Sequence, residues 1–126
     1  IPASGAATEV FLSFPRTVTL GPDGALYVSS TNCATLRRIA GGTSSIVVEG
    51  FDGDRNGTPF SVNQANGVTF GLDGTLYLTN YFSNADNVLL ARAAGSTATV
   101  LNPDNIVAGR VANGWRFSGD GGPARD

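Results

Sequence analysis

The sequence predicts an all-β chain built from repeated four-stranded antiparallel units. Three observations carry this expectation: an internal duplication, an Asp-Gly turn within each copy, and no apolar spacing of helical period. Val18 to Tyr27 lies beside Val68 to Tyr77 at a shift of 50 residues. Gly21, Asp23, Gly24, Leu26 and Tyr27 recur as Gly71, Asp73, Gly74, Leu76 and Tyr77, and the remaining positions exchange like for like.

Each copy reads as a hairpin, because short β-prone runs flank an Asp-Gly pair that tolerates tight turns. Strands are expected over 17–20 and 26–30, then over 67–70 and 76–79. Two further strands follow in each copy, Thr35 to Ile39 and Ser45 to Val48 in the first, Val88 to Arg92 and Ala98 to Leu101 in the second. An additional strand is expected over Glu9 to Phe14, as the outermost strand of a preceding unit. Four short strands in a unit of about 50 residues is the blade of a β-propeller, and the chain supplies about two and a half of them, a partial ring. The expected division is residues 1–16 as the outer strand of a preceding blade, 17–66 as repeat 1, and 67–126 as repeat 2 with the start of the next linker.

The residues that make up the repeat resemble the NHL family of propellers, of bacterial type. Phe14 to Val28 is similar to the family's opening hairpin and Leu36 to Ile39 to its third strand. Phe117 to Ala124 resembles its Gly-rich inter-blade linker, with Phe51 to Asp54 and Gly57 to Pro59 as the earlier counterpart. Ser30 and Asn80 stand where the family carries an acidic residue, and Asn66 stands where it carries Pro. The resemblance implies a propeller fold and a rigid ring that presents loops. Its enzymatic members, a lyase and lactonase-like hydrolases, hold central metals through His or through carboxylate and Asn clusters.

Composition narrows the function classes. All 8 basic residues are Arg, there is no His, and the formal net charge is -2, so imidazole catalysis is excluded and no field gathers phosphates. Nucleic acid is not an expected partner. No run approaches the ~20 apolar residues of a membrane-spanning helix, so no membrane insertion is expected. The single cysteine, Cys33, is expected to be a passive thiol. The wealth of Ser, Thr and Asn, with Lys absent, leans toward an extracellular or cell-surface setting.

Asp52, Asp54, Asn56 and Thr58 alternate as oxygen donors around Gly57, the opening pattern of a calcium loop. The twelfth position is Asn63 rather than Glu, and the same segment also reads as the repeat's Gly-Asp linker. Asn56, Gly57 and Thr58 form an N-glycosylation sequon, which would compete with a metal for Asn56. Tyr27, Phe70 and Tyr77 are expected to pack between blades, whereas Phe82 and Trp115 are better placed as exposed contacts. Arg37 and Arg38 must point to opposite faces of one strand. Val10, Phe11 and Leu12 are apolar enough to form an interface with another chain, after the small residues 3–7.

No catalytic residues are assigned. The expected function is a non-catalytic, extracellular binding or scaffold module whose partners are other protein chains or further copies. The alternatives are a self-assembling structural subunit, ring or fibre, joined head to tail, and part of a lactonase-like enzyme.

Overall fold

A computed structural model describes residues 4–12, 14–30, 35–49, 65–82, 85–101 and 103–109. The described chain is all-β, with nine strands in two antiparallel sheets and no α-helix among the described residues. The strands are β1 (Ser4–Ala6), β2 (Pro15–Leu20), β3 (Leu26–Ser30), β4 (Thr35–Ala40), β5 (Thr43–Glu49), β6 (Ala65–Phe70), β7 (Leu76–Phe82), β8 (Ala85–Arg92) and β9 (Ile106–Gly109). Sheet order is β1-β5-β4-β3-β2 in the first sheet and β6-β7-β8-β9 in the second. Neither sheet closes on itself.

Both duplicated hairpins form, and their turn explains the repeated residues. In the first, Gly24 N–H donates to Gly21 O at 3.0 Å and Gly21 N–H to Ala25 O at 2.8 Å. The second repeats both bonds, Gly74 to Gly71 at 3.0 Å and Gly71 to Thr75 at 2.8 Å. The Asp is the cap: Asp23 Oδ1 accepts from Ala25 N–H at 3.1 Å, and Asp73 Oδ1 from Thr75 N–H at 2.9 Å. Only the glycine of each Asp-Gly pair adopts a positive φ, 79° at Gly24 and 87° at Gly74. The connection is thus a four-residue turn with a left-handed glycine at its end, not a two-residue Asp-Gly turn.

Two strands differ from the sequence reading. Glu9 to Phe14 is not a strand: Ala7–Glu9 is a 3-10 turn, and Phe14, at φ 50°, takes a left-handed conformation that breaks any extended run before β2. The edge strand is instead β1, paired with β5 of the same sheet at Ser4↔Ser45 and Ala6↔Thr43. Ala98 to Leu101 does not form the fourth strand of the second copy. Its backbone reaches across to the other sheet, where Glu49 N–H donates to Thr99 O at 2.7 Å, and β9 pairs with β8 in its place.

Opposed residues of an antiparallel pair share a face. On the first sheet one face carries Thr19, Tyr27, Ser29, Leu36 and Arg38, and the other carries Val18, Leu20, Leu26, Val28 and Arg37. On the second sheet one face carries Val68, Phe70, Leu76, Leu78 and Leu90, and the other Thr69, Tyr77, Thr79 and Leu89. The core lies between the Tyr27 face and the Leu78 face, where Tyr27, Leu36, Val48, Leu76, Leu78, Leu90, Leu101 and Ile106 form one buried cluster.

Candidate functional site

Among the described residues a polar constellation borders a cleft of about 220 Å³ at the turn end of the two sheets, walled by Asp23, Tyr27, Phe70, Leu76 and Arg92. The turn places Asp23 and the register places Tyr27 opposite Arg38. Arg38 Nε donates to Asp23 Oδ2 at 2.7 Å, and Tyr27 Oη donates to the same oxygen at 3.2 Å. From the second sheet, Phe70 meets the Tyr27 ring edge-on, with centroids 4.6 Å apart and planes at 64°.

Arg92 ties the sheets together from the other wall. Its guanidinium donates to Val47 O at 3.1 Å and to Ser96 O. Val47 is the extra residue of a bulge, because register passes from Leu36↔Val48 to Arg37↔Ile46. The crossing segment adds a second tie, Thr99 Oγ1 donating to Glu49 Oε2 at 2.7 Å.

The electrostatics follow from these contacts. The Arg38 hydrogen bond, followed by the Ala25 N–H, holds the Asp23 carboxyl below its ordinary value. Burial, and then the charge of Asp23, pushes the Tyr27 phenol up, so it remains a donor. Burial pushes Arg92 down from its ordinary value, and the Thr75 N–H lowers Asp73. Each polar group of the cleft thus serves turn closure or the joining of the sheets.

A group with a depressed folded-state pKa stabilises the fold above its unfolded pKa, about 3.9 for Asp. That contribution is lost as pH falls through the lower folded value. Unfolding by urea is therefore expected to show constant Asp23-linked stability from neutral pH down to about 4, then a decline at lower pH that Asp23→Asn reduces. The decline is shallow, because the Asp23 and Arg38 side chains are each 38% exposed and water screens them. A wild type and an Asp23→Asn variant with the same acid profile would contradict the assignment.

Among the sequence-based site residues, Val10 and Leu12 are half-buried and Phe11 is exposed, and none of the three lies in a strand. Asp52, Asp54, Asn56 and Thr58 lie outside the described residues, and with them the calcium loop, the sequon at Asn56, Cys33 and Trp115. Phe82 ends β7. Arg37 and Arg38 do take opposite faces: Arg38 reaches Asp23, whereas Arg37 is buried and donates to Ser44 Oγ at 3.2 Å. Arg92 was not legible as a site residue, since its acceptor exists only because of the bulge at Val47.

No group of three or more acidic or thiol side chains converges among the described residues. No helix among them is long and apolar enough to cross a membrane. No family model, curated protein or solved structure matches the chain.

Proposed function

We infer that the chain is a blade pair of an NHL-type propeller and works as a non-catalytic, extracellular binding or scaffold module. The observation that carries this reading is that two sheets, each containing the same four-strand meander, stack in sequence, the Tyr27 face of the first on the Leu78 face of the second. A rigid stack of this kind fixes its connecting loops in space, and such loops are where recognition resides. The polar groups of the cleft support binding over catalysis, since they are engaged in closing the first turn and, through Arg92, in joining the sheets.

The test is a binding array of extracellular proteins, peptides and glycans, run beside a panel of lactone and ester substrates. Saturable binding that is lost when residues 51–58 are replaced by a Gly-Ser linker, with no turnover, is the expected outcome. Lactone turnover proportional to chain concentration would replace the module reading with the hydrolase reading.

A further inference from the structure

The contact between the two sheets joins two kinds of face, and each sheet carries one of each kind. The first sheet contributes Thr19, Tyr27, Ser29 and Leu36 to the contact. Equivalent register positions on the outward face of the second sheet hold Thr69, Tyr77, Thr79 and Leu89. The second sheet contributes Val68, Phe70, Leu76 and Leu78 to the contact. Their counterparts on the outward face of the first sheet are Val18, Leu20, Leu26 and Val28.

The outward faces therefore duplicate the two halves of a contact that the chain already makes. One is apolar and open over β2 and the start of β3, with Val18 61%, Leu20 66% and Leu26 44% exposed, while Arg37, which stands where the second sheet has Leu90, is buried on the same face. The other is concave, with a depression of about 300 Å³ walled by Gly67, Thr69, Tyr77, Thr79 and Leu89. Within the chain Phe70 packs against Tyr27; the matching pair across two chains is Leu20 of one against Tyr77 of the next.

The geometry points to a second copy of this chain as the occupant: the Val18–Leu20–Leu26 face of one copy docks on the Tyr77–Leu89 face of another, repeating the internal sheet-to-sheet contact. This inference deepens the proposed propeller reading and rests on it. The contact is heterologous, so each added copy presents the same two faces again. It closes into a ring where the rotation permits and propagates where it does not.

Arg substitutions on the exposed strand positions test it: Leu20→Arg blocks one face, and Thr69→Arg blocks the other. Sedimentation velocity is run at rising concentration up to roughly 1 mM chain, enough to populate a contact with a Kd of about 1 mM. The native chain is expected to gain mass with concentration, and each variant alone to stay monomeric. An equimolar mixture of the two variants is expected to stop at a dimer, because it retains one intact contact of the two. A native chain that stays monomeric throughout overturns the proposal, including the case in which a further repeat of the same polypeptide covers these faces. Association that survives either substitution, or a mixture that remains monomeric, overturns it as well. A nuclear Overhauser contact between the Tyr27 and Phe70 rings separates the two readings. If that contact is present and docking fails, only the second copy is lost; if it is absent, the sheet stacking fails with it.

Discussion

Leu78→Ala is expected to destabilise the fold by about 2 to 5 kcal/mol, on the order of 10 °C in melting temperature. Leu78 is 1% exposed, lies opposite both Val68 and Leu90, and faces the other sheet. Truncation removes apolar contact from both sheets at once and leaves a cavity that paired strands cannot easily collapse. Leu90 is directly opposite, so the loss in a Leu78→Ala, Leu90→Ala double variant should depart from the sum of the two singles. Thr79→Ser, on the exposed face of the same strand, should change stability by no more than about 0.5 kcal/mol. Thermal unfolding of the four variants beside the native chain checks this, and a Leu78→Ala variant as stable as Thr79→Ser would remove the inter-sheet core as the main source of stability.

Gly21→Ala is expected to cost about 1 to 3 kcal/mol. A Cβ at Gly21 falls 2.3 Å from Tyr27 Cε2 and 2.8 Å from Asp23 Oδ1. The ring cannot retreat freely, because it is buried, packs on Phe70 and donates its hydroxyl to Asp23. At Gly71 the nearest atoms are looser, Asp73 Oδ1 at 3.0 Å and Tyr77 Cε2 at 3.3 Å, and Tyr77 is only half-buried. Gly71→Ala should therefore cost less than Gly21→Ala. The penalty at Gly21 should shrink in a Tyr27→Leu background, which removes the ring atom. Equal penalties at the two glycines, or no change in the Tyr27→Leu background, would show that the ring does not set the glycine requirement.

These two experiments also show which parts of the fold were written in the residues. The hairpins were legible because Gly21, Asp23, Gly24 and Tyr27 act on one another within seven residues, and the second copy repeats the set. Ala98 to Leu101 was misread because β-prone residues report an extended backbone and not its partner; Thr99 bonds to Glu49, which lies 50 positions earlier. The edge strand at Ser4–Ala6 gave no signal, since Ser, Gly and Ala have little strand preference and the strand is defined by its pairing with β5. Tyr27 and Phe70 pack between the units as the sequence suggests, whereas Tyr77, read the same way, lies on the outward face of the second sheet. The tie from Arg92 was not legible, because its carbonyl partner is set free by a register irregularity that no residue pattern announces.

The strand connectivity also implies an order of assembly. Among the described strands every pair except one joins neighbours along the chain, and all of these but β8 and β9, whose connection crosses to the first sheet, can zip through a short connection with little chain to close. The exception is β1, whose Ser4 must find Ser45 after β2 to β5 have laid down the surface that receives it. β1 is therefore the last strand to join its sheet and the first to leave, and the outer edge of β5 is open for as long as β1 is away.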